Sequence, residues 1–437
     1  DLTPKIRLTQ AGQLLLSRKR TNEIFTRQLM KFQLPSPYHK QSKNICFQVK
    51  PYLELIRLIK DLQTLSKTEI ALFFLQLTHY KNYSAIVKKI EDFRANAKTY
   101  GKSRKSYVHA CFENEIHGIF REEIEGEQFK TRETNDVTLK KFIQTKKANM
   151  KDYADAFFRY IRATELVTLQ KRTFRLVISP QKVEEVDFLL STVERRPKMF
   201  RKEKTFKKYL FAPYNTALFT DDKECLVRKL KELGMSSADT SENTDKLKDL
   251  LEQQEIQIKE KKIESKKNKL KNTSGMQQII DVFEKIKSKD VPDAPLFLEW
   301  NVWRSFEMLN YAEKIDPNLA MDLDGMPNNA APGNKADLEI EFENFGIIGE
   351  VTLSTGATQF KMEGDSVPRH YGEFKRKTGK EAYCFFIAPK IHNGTKAFFF
   401  NLNKGYTEAY GGKTGIIPLA LETFIEFLKE GIKHNFS

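Results

Sequence analysis

The stretch Asp337-Leu338-Glu339-Ile340-Glu341-Phe342 alternates acidic and apolar residues. On an extended strand, that alternation lines the carboxylates along one face. Glu343-Asn344-Phe345-Gly346 reads as a turn, and Ile347-Ile348-Gly349-Glu350-Val351-Thr352-Leu353 as the returning strand. A hairpin centred between Asn344 and Phe345 sets Glu350 opposite Glu339, with Asp337 as its diagonal neighbour. Diagonal neighbours lie roughly 7–8 Å apart, within range for two carboxylates to share a metal ion. Oxygen donors of this kind suit Mg2+ or Mn2+. Such an ion polarises a phosphate and lowers the pKa of a bound water, so the chemistry indicated is phosphodiester hydrolysis. Three more groups fall nearby in the chain: Glu299 in Phe297-Leu298-Glu299-Trp300, Glu363 in Lys361-Met362-Glu363, and His370 in Pro368-Arg369-His370-Tyr371. His370 has an ordinary pKa near neutrality and can position or deprotonate a water. The competing reading is a half-exposed strand whose acidic face is only solvated.

These residues need a scaffold. Residues 276–437 alternate helix and strand, with helices expected over 276–287, 294–312, 368–378 and 420–429. Strands are expected over 337–342, 346–353, 382–388 and 414–418, and a Pro/Gly/Asn-rich loop over 316–334. Helices flanking a small mixed sheet make an α/β domain. Residues 221–275 are highly charged and poor in aromatics, which predicts a helical linker whose lysine run from Lys259 to Lys271 is solvated. Residues 111–220 read as a mixed unit, with helices over 137–143 and 157–169 and a strand over 172–178. Residues 1–110 read as mainly helical. One helix starts at Thr9 with Leu14, Leu15 and Leu16 on its buried side, and Ile24, Phe25, Leu29 and Met30 continue an apolar stripe. Further helices cover 51–63, 67–77 and 84–97. A short extended piece at Ile6-Arg7-Leu8 precedes them. The chain therefore divides into 1–110, 111–220, 221–275 and 276–437.

Charge follows the same division. The chain has 437 residues and a formal net charge of +16. Residues 1–110 carry 21 basic and 7 acidic side chains, whereas residues 276–437 carry 18 and 23. A basic front built of short helices suggests a helix-turn-helix or winged-helix reader of DNA, against the alternative of a plain bundle with a solvated surface. The apolar content of 40% excludes wholesale disorder. Apolar runs such as Ala71-Leu72-Phe73-Phe74-Leu75 fall far short of the roughly 18 residues of a membrane span. The start shows no secretory signal pattern, and its opening at Asp1 suggests a trimmed N-terminus. The four cysteines, Cys46, Cys111, Cys225 and Cys384, are scattered without a Cys-x-x-Cys, which fits a reduced cytoplasmic setting and argues against a zinc ribbon.

Two clusters could hold a nucleic-acid backbone. Lys98, Lys102, Arg104 and Lys105 are interleaved with hydroxyls and with Tyr100 and Tyr107, a mixture suited to phosphate contacts. Gly101-Lys102-Ser103 resembles the end of a P-loop, but the required glycine is Asn96 and no apolar strand precedes it, which excludes a nucleoside triphosphatase. Arg195, Arg196, Lys198, Arg201 and Lys202 form the second cluster, for which a solvated face is the alternative.

Asp337, followed thirteen residues on by Glu350-Val351-Thr352, resembles the PD-(D/E)xK nuclease core. The longer set resembles the AlwI-type family of type IIS restriction and nicking endonucleases. Its matching pieces are Leu298-Glu299-Trp300 with Trp303-Arg304, Pro332-Gly333-Asn334-Lys335-Ala336-Asp337, Gln359 and Val367-Pro368-Arg369-His370. At the front, Leu8-Thr9-Gln10-Ala11-Gly12, Phe25-Thr26-Arg27-Gln28-Leu29 and Leu34-Pro35-Ser36-Pro37-Tyr38 resemble the recognition part of that family, while the middle matches loosely. The resemblance implies winged-helix-like subdomains that read a short asymmetric duplex site, a linker, and a C-terminal nuclease that cuts at a fixed distance to one side. It implies Asp337 and Glu350, with Val351 beside them, as the metal site for Mg2+, with Mn2+ as substitute. Glu299 is implied as the helix carboxylate, with Glu307 as its rival, and Glu363 and His370 as accessory groups. It further implies double-stranded DNA as substrate, one strand cut per centre, a second copy or small nuclease subunit for the other strand, and a cognate methyltransferase. The sequence departs from the pattern at Thr352, where the usual lysine is missing; a second Mg2+, Lys361, Arg369 or protonated His370 is left to supply positive charge. The rival functions are a non-catalytic DNA-binding regulator and a transposase-like or junction-processing nuclease.

Overall fold

The computed structural model describes residues 7–38, 47–330 and 333–433. The expectations that involve Ile6, Cys46 and Pro332, and the Lys102 side chain, lie outside that description. The chain forms two compact units, Asp1–Glu255 and Ile256–Ser437, and the division falls inside the long helix Thr244–Leu270.

The first unit is mainly helical. Its helices include Gln10–Leu16, Thr21–Lys31, Pro51–Asp61, Lys67–Leu72, Tyr83–Thr99, Arg104–Ile119 and Leu139–Arg162. Pro51–Asp61 is buried almost throughout, and Leu53, Leu55, Ile56, Leu58 and Ile59 are fully enclosed. Glu69 ties this core together. It closes a capping box with Ser66, accepts the Arg94 Nε–H at 2.7 Å and pairs with Arg175 from a distant part of the chain. Two expectations change here. Leu15 and Leu16 are exposed, and Ala11 is the buried residue of their helix. The stretch 157–169 is not one helix. The chain leaves the helix at Arg162, Glu165 takes a left-handed φ of 57°, and the β-branched pair Val167-Thr168 enters a strand. That strand, Val167–Leu169, pairs antiparallel with Leu176–Ile178, and Leu65 bridges to Leu176.

In the second unit, helices α1 (Thr273–Lys287) and α2 (Ala294–Leu309) precede strands β1 (Lys314–Pro317), β2 (Leu338–Glu341) and β3 (Phe345–Val351). Then come helices α3 (Ala357–Glu363) and α4 (Ser366–Thr378), strand β4 (Glu381–Ala388), helix α5 (Asn393–Lys404), strand β5 (Ile416–Ala420) and helix α6 (Leu421–Lys433). The five strands form one sheet in the order β1-β2-β3-β4-β5, antiparallel from β1 to β3 and parallel from β3 to β5. Alternation along β4 explains the layering. Cys384 and Phe386 face Val367, Tyr371 and Phe374 of α4 and Phe399 of α5. Phe385 points the other way, against Phe306 of α2 and Phe427 of α6. Each buried aromatic contributes about 2 kcal/mol by removal from water, so α4 is held firmly on the sheet.

The hairpin register differs from the sequence expectation. Leu338 pairs with Gly349 and Glu339 with Ile348, so continuing by one residue brings Asp337, not Glu339, level with Glu350. The reason is the turn. The Phe342 N–H donates to the Phe345 carbonyl at 2.9 Å and the two rings stack at 4.4 Å, which closes a tight turn on Glu343 and Asn344. The expected loop 316–334 also contains a small hairpin, Ala320–Met321 with Pro327–Asn329. The lysine run is not merely solvated, because Lys259, Lys262, Lys266 and Lys267 all grip specific partners.

Gly346 marks a close approach between sheet and α4, since a Cβ there would lie 2.5 Å from Phe374. Gly346→Ala is therefore expected to lower stability by about 1–3 kcal/mol. Urea unfolding measures this; an unchanged midpoint would mean that α4 is free to shift.

Candidate active site

Four elements bring the candidate residues to one end of the sheet. Asp337 stands immediately before β2, and its Oδ2 accepts the Val351 N–H at 2.8 Å, which fixes the carboxylate across the strand pair. Glu350 is buried near the end of β3. His370 lies on α4, and its Nδ1 is 2.7 Å from Glu350 Oε1. Its Nε2 is buried without a hydrogen-bond partner. Glu299 lies on α2 and Glu363 at the end of α3, both half-buried. Glu307, the rival for the helix carboxylate, is occupied elsewhere: it accepts the Trp303 Nε1–H at 3.0 Å and pairs with Lys267 at 2.7 Å.

Electrostatics show that the four carboxylates share one environment. Burial, then the neighbouring Glu350 and Glu363, push Asp337 up to about 8, partly opposed by the Val351 N–H. Burial, then Asp337 and Asp293, push Glu299 up to about 8. Glu350 is driven well above the carboxylate range by burial and by Glu363, against the pull of Arg369. His370 is pushed down by burial and by Arg369, so its ring is neutral near pH 7. Enclosed carboxylates that repel one another are the setting in which a cation is most welcome.

Among the described residues, no group of three or more His, Cys, Asp or Glu side chains converges tightly enough to hold a metal alone. Mg2+ is commonly held by one or two carboxylates and completed by waters and substrate phosphates. Asp337 and Glu350 are the pair that could do this. Thr352 is uncharged, and its Oγ1 accepts the Ser354 N–H at 3.1 Å. Lys361 is exposed, whereas Arg369 is half-buried and acts electrostatically on both Glu350 and His370. Gln359 is a residue whose part the sequence did not reveal. It is fully buried, donates to the carbonyls of Ser354 and Lys390 at 2.9 Å, and accepts the His392 N–H at 2.8 Å. It thus pins the loop that follows Val351. Only its place in the motif marked it beforehand.

The basic candidates lie in the first unit. Lys98, Arg104 and Lys105 are exposed around the end of one helix and the start of the next, beside Tyr100 and Tyr107, whose rings stack at 4.5 Å. Arg196, Lys198, Arg201 and Lys202 are also exposed. Arg195 is different: it forms a two-pronged ion pair with the fully buried Glu54, at 2.8 and 2.5 Å, so its charge is committed to the fold. Cys111, Cys225 and Cys384 carry free thiols. Among the described residues no helix is long and apolar enough to cross a membrane.

The raised pKa values make a signed prediction for metal-free protein. A carboxyl raised from about 4 in the unfolded chain to about 8 in the fold favours folding below the lower value. That contribution is lost as pH rises through the upper one. Asp337→Asn removes this loss. Its melting temperature is expected to match the wild type near pH 4 and to exceed it increasingly toward pH 8; a difference independent of pH would contradict the shared environment.

The AlwI restriction endonuclease family model matches residues 2–427 of the chain. Among solved structures, the small subunit (R.BspD6I2) of the heterodimeric restriction endonuclease R.BspD6I is 32% identical over the match. The match covers 35% of this chain and 77% of that one, with a TM-score of 0.31. No curated protein matches the chain. With nearly its whole length matched, the chain belongs to the AlwI restriction endonuclease family.

Proposed function

We propose that this chain is a Mg2+-dependent endonuclease of type IIS character, with Mn2+ able to substitute. In this reading the first unit binds a short asymmetric duplex site and the second hydrolyses one phosphodiester at a fixed distance to one side. The observation that carries the proposal is the Asp337–Glu350 pair, level across two strands, enclosed, and strongly biased against carrying its charge uncompensated.

Asp337 and Glu350, with Val351 beside them, would hold the ion. Bound there, Mg2+ would supply charge to polarise the phosphate and lower the pKa of the attacking water. The remaining steps belong to the chain. Ionised Glu350 accepts a hydrogen bond from a protonated His370 Nδ1, which orients the carboxylate as partners behind metal ligands commonly do. His370 Nε2 is then the ring's lone-pair acceptor. Glu299 would release its proton as the ion enters, and Glu363 adds negative potential that favours the ion. Arg369 takes the role of fixed positive charge that Thr352 cannot fill, and a PD-(D/E)xK relationship with the usual lysine relocated is consistent with this.

For the first unit, helix Pro51–Asp61, the Leu65 bridge, helix Lys67–Leu72, helix Leu139–Arg162 and hairpin 167–178, with helices Tyr83–Thr99, Arg104–Ile119 and Arg121–Glu125 inserted before Leu139, support a winged-helix reading in which helix Leu139–Arg162 enters the major groove. The exposed cations Lys98, Arg104, Lys105, Arg196, Lys198, Arg201 and Lys202 would bind phosphates. One centre cuts one strand, so cutting both needs a second copy or a smaller nuclease subunit. A cytoplasmic setting with a cognate methyltransferase completes the proposal.

Plasmid cleavage with mapped ends tests it. Mg2+ is expected to give nicked or linear product with ends at one offset from one sequence, and Asp337→Ala to slow this about 10³-fold while binding survives. DNA left intact in every metal would favour a regulator, and scattered sequence-independent ends a junction nuclease. Replacing Lys98, Arg104 and Lys105 by Glu should reduce the salt dependence of binding by roughly 0.9 in slope for each phosphate that is no longer neutralised. An unchanged slope removes that patch from the interface.

A further inference from the structure

The lysine run that precedes the nuclease sheet makes an organised set of contacts. Lys259, Lys262 and Lys266 are spaced to share one face of the helix Thr244–Leu270. All three reach the tip of the small hairpin between β1 and β2. Lys259 Nζ donates to the Met321 carbonyl. Lys262 Nζ pairs with Asp324 Oδ1 at 2.7 Å. Lys266 Nζ donates to the carbonyls of Asp324 and, at 3.2 Å, Gly325. The tip is shaped in advance to meet them. Asp322 Oδ1 accepts the N–H groups of Asp324 and Met326, both at 3.0 Å, and Gly325 adopts a φ of +66°. A Cβ at Gly325 would lie 3.1 Å from Ile263 of the helix, so hairpin and helix are in close approach. One residue further along, Lys267 pairs with Glu307 of α2 and lies over the Trp303 ring.

The anchored elements are the ones that carry the site. The hairpin runs on to Asp337, whose carbonyl accepts the Asn318 N–H at 3.0 Å at the hairpin's root. Glu307 shares α2 with Glu299. One partly exposed ion pair is worth little, but charge-assisted hydrogen bonds to fixed carbonyls are stronger, and four cations on one rigid helix act together.

We infer that Lys259, Lys262, Lys266 and Lys267 form a clamp that fixes the direction in which the chain enters the nuclease unit relative to Asp337 and Glu299, and thereby sets the offset and sharpness of the cut. The lysines are positioning residues, not catalytic ones. The offset rests on the nuclease reading above; the clamp itself does not.

The test combines Lys259→Ala, Lys262→Ala and Lys266→Ala in the full-length chain and reads two quantities. Amide hydrogen exchange in 256–270 and 320–329 is expected to speed up together by about tenfold or more. Mapped cut ends are expected to spread from one phosphodiester to several neighbours, with at least about a twofold loss at the main position. Should the triple variant fail to fold, the pair swap decides: Lys262→Asp broadens the ends, and adding Asp324→Lys narrows them again. Unchanged exchange overturns the clamp, and faster exchange with ends still at one position overturns its control of the offset. A wild-type chain that cuts no DNA in any divalent metal overturns the nuclease reading and the offset with it, while exchange still reports on the clamp.

Discussion

The second unit is organised around crowded negative charge. Burial and their neighbours raise the proton affinity of Glu299, Asp337 and Glu350 in a largely enclosed site; Glu363 adds to this at Asp337 and Glu350, and Arg369 opposes it at Glu350. Folding concentrates charge in this way at a cost, since each enclosed carboxylate must either keep its proton or find compensation. The sheet makes the arrangement durable. Its antiparallel half sets Asp337 level with Glu350, the Val351 N–H locks the first of these, and α4, between the parallel strands β3 and β4, delivers His370 to the second.

Much of this was legible in the chain because residue type and alternation are local signals. Glu299, Asp337, Glu350, Glu363 and His370 were marked by type and motif, and the structure brings Asp337, Glu350 and His370 into direct or near contact. Alternation alone misplaces the partner of Glu350, because register depends on the turn. A ring stack between Phe342 and Phe345 shortened that turn in a way that alternation alone does not encode. Strand β1 is not legible in the sequence because Pro317 disfavours a strand interior; it is tolerated here because β1 is the sheet edge. Helix α5 was obscured by Phe398-Phe399-Phe400, of which Phe399 is fully buried and Phe400 exposed.

The basic residues show a second limit. A cluster of cations in a sequence does not say which of them are free. Arg195 is held by Glu54, and Lys182 and Lys229 share the buried Glu185, whereas Arg196, Lys198, Arg201 and Lys202 face solvent. Lys259, Lys262 and Lys266 belong to a run that composition reads as a solvated face, yet they hold a hairpin tip. In each case the partner is remote in sequence, so composition records the charge but not its use.

The most direct measurement of the central claim is calorimetric titration of Mn2+ into the DNA-free protein near pH 7, repeated in buffers of different ionisation enthalpy. If Asp337, Glu350 and their neighbours hold protons until a cation displaces them, binding releases about one proton or more per ion, and Glu350→Gln removes most of the affinity. Binding with no proton release, and with affinity unchanged in Glu350→Gln, would contradict the account.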